Sequence, residues 1–125
     1  MANQPNKEMA ASNRMSRDSG RLETTIANGA TVSAAIPTGG AAWGSYQIPA
    51  AFTGVLMTIE VNNDPSRALG WTTVRDETGT AVAAVTVAVN NTCPLPNNTF
   101  KSEFYRLVSG SSEGAARTVT IYHRG

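Results

Sequence analysis

The sequence predicts an all-β fold: an antiparallel β-sandwich, jelly-roll-like with about eight strands, preceded by an extended N-terminal arm. Three observations predict it. Short apolar runs alternate with a period of two, most clearly over residues 55–61. There Val55, Met57, Ile59 and Val61 fall on one side and Leu56, Thr58 and Glu60 on the other. Clusters of Gly, Pro and Asn punctuate these runs, and no helix-period stretch lies between them. Finally, residues 1–21 contain no Val, Ile, Leu, Phe, Tyr or Trp. They are assigned to the arm, and residues 22–125 to the sandwich domain.

Within the domain, Leu22, Thr24 and Ile26 alternate and run into Ala27-Asn28-Gly29. Asn-Gly is the favoured pair for a two-residue hairpin, because both central positions need φ > 0. Val32, Ala34 and Ile36 make the next strand, ended by Pro37-Thr38-Gly39-Gly40. Trp43 and Tyr46 lead into the segment around which the chain is organised, residues 46–61. Ile48-Pro49 closes one extended piece of it and Phe52-Thr53-Gly54 opens the next. Leu56 interrupts the polar side of the second piece, so that side is expected to meet another surface.

Asn62-Asn63-Asp64-Pro65-Ser66 is turn chemistry throughout. Residues 70–75 read as a short strand and Asp76-Glu77-Thr78-Gly79 as a tight turn. Residues 81–89 read as the longest apolar strand, with Val85, Val87 and Val89 on one face and Ala84, Thr86 and Ala88 on the other. Pro94 and Pro96 exclude a central strand from the loop of residues 90–98. Phe100, Phe104 and Val108 then alternate against Tyr105 and Leu107. A flexible loop over 109–115 precedes the last strand, marked by Val119 and Ile121.

Composition narrows the function. Charged residues are 15% of the chain and the net charge is +1. Nucleic-acid binding, which draws on a clustered basic face, is therefore not expected. The single cysteine, Cys93, excludes an internal disulfide framework and a multi-Cys zinc site, and reads as a small half-buried hydrophobe. No run approaches the length of a membrane span, and no apolar signal segment is visible near Met1. A product of a reducing cytoplasm, without membrane contact, is expected.

No residue set specifies a reaction. The one histidine, His123, reads as a strand-end residue. Asp76 and Glu77 are adjacent in a turn, so their side chains diverge and do not form an acid–base pair. Asn62, Asn63 and Asp64 offer hard oxygens for calcium, with Asp76 and Glu77 as possible neighbours, but the ligand spacing of a calcium loop is absent. Trp43, Tyr46 and Trp71 are the aromatics a carbohydrate module would present; core or interface packing is the expected use of each. Gly39-Gly40 and Gly110 lack the residues of a phosphate cradle. The chain is read as non-enzymatic, with no metal and no cofactor.

The arm carries the partner-binding candidates: Lys7, Met9, Arg14, Met15, Arg17 and Arg21. Ordering such a segment costs about 1–2 kcal/mol per residue in backbone entropy. A few methionines packed on their own domain do not offset that, so the arm is expected to order on a partner surface.

Several segments carry a family resemblance. They are Thr25-Ile26-Ala27-Asn28-Gly29 with Ser33, Ile48-Pro49-Ala50-Ala51-Phe52, and Leu56 with Thr58-Ile59-Glu60-Val61. Asp76-Glu77-Thr78-Gly79-Thr80 and Ala116-Arg117-Thr118-Val119-Thr120-Ile121 complete the set. Together, over residues 22–124, they resemble small β-sandwich virion proteins of tailed bacteriophages. An arm with basic residues and methionines ahead of a sandwich is similar to the capsid cement (decoration) proteins of such phages. The resemblance implies a structural protein on the capsid surface, synthesised in the host cytoplasm. It also implies binding to the major capsid protein and to other copies of itself, as a dimer or trimer. Arg14, Arg17 and Arg21 would pair with acidic groups of the shell, and Met9 and Met15 would fill shallow apolar pockets. A tail, collar or fibre-base component is the alternative within that class. A carbohydrate-binding module for surface attachment is the alternative outside it.

Overall fold

The computed structural model describes residues 19–64, 66 and 70–125. Nine strands form among them, in two sheets that are antiparallel throughout. They are β1 (Ser19–Ile26), β2 (Ile36–Pro37), β3 (Trp43–Gln47), β4 (Leu56–Asn62), β5 (Thr72–Thr73), β6 (Val85–Thr86), β7 (Thr92–Pro94), β8 (Phe104–Ser109) and β9 (Arg117–Arg124). A 3₁₀ turn, Asn97–Lys101, links β7 to β8. The first sheet has the order β1-β9-β3-β7. The second has the order β2-β8-β4-β5, with β6 pairing the other end of β4.

The pairing is nested. β1 meets β9, β2 meets β8, β3 meets β7, and β4 meets β5 and β6. These rungs of one long folded hairpin fall alternately in the two sheets, which is the topology of a jelly roll. The all-β sandwich expected from alternation is therefore the observed fold.

The two inner faces enclose the core: Ile36, Tyr46, Ile48, Met57, Ile59, Val74, Val87, Leu95, Tyr105, Leu107, Val119 and Ile121. Burying each such side chain contributes about 1.5–3 kcal/mol before conformational entropy is subtracted. Met57 and Ile59 point inward as the alternation of β4 predicts, and Val61 packs at the core's margin. Val55 does not: it precedes the strand and is 63% exposed. Cys93 sits half-buried opposite Tyr46.

Five expectations need correction. Asn28-Gly29 closes no two-residue hairpin, because β1 and β2 lie in different sheets. Of that pair only Gly29 has positive φ, at 80°. β1 instead takes β9 as partner along its whole length, and the Asn-Gly corner carries the chain across the sandwich. The segment 81–89 is not a long strand. Only Val85 and Thr86 pair with β4, and of the three valines only Val87 is buried, at 6% exposure. Its small side chains, polar only at Thr86, give neither face a strong preference for the core. Phe100 lies in the 3₁₀ turn and not in β8. The loop 109–115, expected to be flexible, is anchored through Glu113, as described below. The first strand also begins at Ser19, so Arg21 belongs to β1.

Candidate functional site

The structure offers two buried polar nodes and two distinct outer surfaces. The first node is Glu113. Its carboxylate has no exposed surface yet sits in the loop between β8 and β9. It accepts hydrogen bonds from the Thr53 N–H (2.8 Å), the Gly54 N–H (2.9 Å) and the Ser109 hydroxyl (2.8 Å). Arg117 Nε donates to it at 3.1 Å. Burial pushes its pKa up, but the donors from Thr53, Ser109, Gly54 and Arg117 outweigh this and hold it below the usual carboxylate value. A fixed anion between β8 and the approach to β4 ties the loop down.

The second node is His123, which is buried on β9 between Gly44 and Gly20 in the ladder. Its Nε2 lies 2.7 Å from the Tyr105 hydroxyl, a bond that crosses from one sheet to the other. Phe100 meets the imidazole edge-on at 5.3 Å. Burial depresses its pKa below the ordinary 6.5.

Both nodes make stability depend on pH with the same sign. Unfolded His123 binds its proton near pH 6.5 while the native side chain stays neutral to lower pH. In that window the unfolded state holds more protons, so stability is complete above about pH 6.5 and falls as the pH drops. Glu113 adds a second loss, beginning at the ordinary 4.5 and complete below its depressed native value. The melting temperature is expected to fall in two stages on acidification. His123→Gln, which keeps an acceptor for Tyr105 but does not titrate, should flatten the upper stage. An unchanged slope between pH 7.5 and 5.5 in that variant would refute the assignment.

The calcium candidates are occupied with turn formation. Asn62 Oδ1 accepts from the Asp64 N–H (2.8 Å), Asp64 Oδ1 from the Ser66 hydroxyl (2.6 Å), and Asn63 Oδ1 from the Glu103 N–H (3.1 Å). Asp76 Oδ1 takes the Thr78 hydroxyl and the N–H groups of Thr78 and Thr80 inside its own tight turn. Among the described residues no three His, Cys, Asp or Glu side chains gather in metal-ligating geometry.

The first surface is an apolar edge of the second sheet. Val55, Leu56, Val85 and Val89 are 63%, 41%, 43% and 45% exposed. β6 pairs with the start of β4, and the Val87 N–H donates to the Val55 carbonyl at 2.9 Å. The register sets Val85 beside Met57 on the core side of this edge and Leu56 beside Thr86 on the opposite side. Ala81, Ala83, Ala84 and Ala88 of the same segment are also exposed, and residues 81–89 carry no charge. The edge continues to a shallow crevice of about 30 Å³ where Val82, Ala83 and Val85 face Pro94 and Pro96 across the two sheets. The polar-side Leu56 was the signal for this surface in the sequence; the exposure of Val85 and Val89 had none.

The second surface is the outer face of the first sheet. Register places Trp43 beside Arg124, and Ser45 beside Tyr122, which in turn faces Arg21. Gln47, Thr120 and Glu23 form the next row. Trp43 is 57% exposed and Tyr46 is buried at 1%. Trp71 is half-buried under Arg106, whose guanidinium lies 4.5 Å from the ring centroid and is held by Glu60 at 2.7 Å. Of the three aromatics, Trp43 alone keeps most of its surface free.

Of the arm residues, Arg21 lies on this outer face with its side chain 64% exposed, 3.6 Å from Glu23. Lys7, Met9, Arg14, Met15 and Arg17 lie outside the described residues. Comparison with protein-family models, with curated proteins and with solved structures finds no match to this chain.

Proposed function

We propose that the protein is a non-enzymatic structural subunit that docks on a protein lattice, as a capsid cement protein of a tailed bacteriophage does. The observation that supports this reading is the charge-free apolar edge of Val55, Leu56, Val85 and Val89. A sheet edge that exposes large apolar side chains with no charge among them is a liability for a free monomer and marks a protein-binding surface. The major capsid protein is the partner in this reading, with further copies of the chain as neighbours. Burying the edge against a shell, with the arm extended over adjacent subunits, stabilises the assembled state by binding it selectively. A tail or collar position is distinguished by copy number, which is high for a cement protein and low for a tail component.

The test is co-sedimentation of the full chain with purified shells that lack it. Val85→Lys and Leu56→Lys are expected to weaken binding by about tenfold or more each, because each places an unpaired charge in the buried contact. Thermal stability should change little, since both positions are exposed. Undiminished binding of the double variant would overturn the role of this edge.

A further inference from the structure

We infer that the outer face of the first sheet is a separate binding site for an anionic saccharide, with Trp43 as the sugar platform and Arg21 and Arg124 as the anion clamp. The inference uses none of the apolar-edge residues. Paired residues on antiparallel strands have their Cβ atoms about 4.5–5.5 Å apart, and diagonal ones about 7–8 Å. Trp43, Arg124, Tyr122 and Arg21 occupy two successive rows of β3, β9 and β1 on one side of the sheet. They are therefore a single patch. Beside it is an open depression of about 220 Å³ lined by Gly20, Arg21, Tyr122, His123 and Arg124.

Two features favour a saccharide. An indole lying open on a sheet face presents a flat apolar surface to the C–H face of a sugar ring, next to hydrogen-bonding groups. The neighbouring row supplies neutral partners: the Tyr122 hydroxyl donates to Gln47 Oε1 at a long 3.4 Å, and Thr120 and Ser45 flank it. That weak bond is easily exchanged for sugar hydroxyls.

The two guanidiniums give the preference for an anion, since their planar donor arrays match carboxylate and sulfate geometry. Glu23 competes for Arg21, but across an exposed 3.6 Å contact such a pair contributes little and yields to a ligand. The net charge of only +1 disfavours a polyanionic nucleic acid.

The full chain is titrated with a hyaluronan tetrasaccharide, a heparin-derived tetrasaccharide, a neutral chitotetraose and sodium sulfate, following the indole N–H resonances. Saturable binding of either acidic oligosaccharide that shifts the Trp43 resonance is expected, and comparing the two identifies the preferred anion. The neutral oligosaccharide should bind about tenfold more weakly, the loss of one charge-assisted contact. Trp43→Ala should weaken binding by about tenfold or more, and Arg124→Gln should weaken it and reduce its salt dependence. Val85→Lys should bind as the wild type does, which separates this site from the docking edge. Failure of every saccharide to saturate at millimolar concentration, or undiminished binding by Trp43→Ala, would overturn the site. Sulfate binding as tightly as the oligosaccharides would overturn the sugar platform.

Discussion

Replacing Glu113 with alanine is expected to lower the stability of the domain by about 3–5 kcal/mol, the cost of removing one partner from a buried ion pair. Its carboxylate satisfies the N–H groups of Thr53 and Gly54, the Ser109 hydroxyl and Arg117. Alanine leaves these donors around an empty space. Ser109 has a second acceptor, the Ser111 carbonyl at 2.9 Å, and Arg117 retains some solvent access. The buried Gly54 N–H has no such recourse, and orphaning it costs about 1–3 kcal/mol. For a domain of this size the melting temperature should fall by about 15–25 °C. Thermal denaturation followed by circular dichroism measures it. A shift of under 5 °C would mean that water replaces the carboxylate without penalty, and that the node does not anchor the loop.

Gly44→Ala is the second large effect. Gly44 lies in β3 on the row that faces the core, paired with His123 of β9. A methyl group there would sit 2.5 Å from the Tyr122 carbonyl oxygen, 3.0 Å from Phe100 Cζ and 3.1 Å from His123 Cδ2. The nearest obstacle is backbone of a central strand, which has little room to retreat. Overpacking typically costs about 1–3 kcal/mol, and this site belongs at the upper end of that range or beyond. Gly20→Ala is the control. It faces the same histidine from β1, but a methyl group there meets nothing within 4 Å. Urea denaturation should separate the two by about 2 kcal/mol or more, and equal midpoints would show that β3 and β9 separate freely at this row.

The fold was legible where one face of a strand differs chemically from the other. Met57 and Ile59 in β4, and Val119 and Ile121 in β9, alternate with polar residues and are buried as read. The tight turn at Asp76–Gly79 was legible because Asp, Thr and Gly satisfy its hydrogen bonds locally. Residues 81–89 were not, since a face of alanines with the single Thr86 and a face of valines differ too little to orient one of them toward water. Glu113 was opaque for another reason. Flanked by Ser112 and Gly114 it reads as solvated, and the Thr53 and Gly54 N–H groups that bury it lie about 60 residues away in the sequence. Of the outer surfaces, only the exception at Leu56 stood out. The grouping of Trp43 with Arg124, Tyr122 and Arg21 exists only once β1, β9 and β3 are aligned.

That alignment governs how the protein must be made. β9, the last of the described strands, is an interior member of the first sheet, between β1 and β3. Until it emerges from synthesis, β1 and β3 have no shared neighbour, and each exposes a row of unsatisfied backbone groups able to template pairing with another chain. Closing β1 on β9 joins Ser19 to Arg124 across nearly the whole described sequence. Such long-range closure places the chain among slow-folding topologies, in the millisecond-to-second range. The order of synthesis thus works against the order of assembly. Until β9 has emerged the nascent chain carries open edges on both β1 and β3, and it is β9 that seals them.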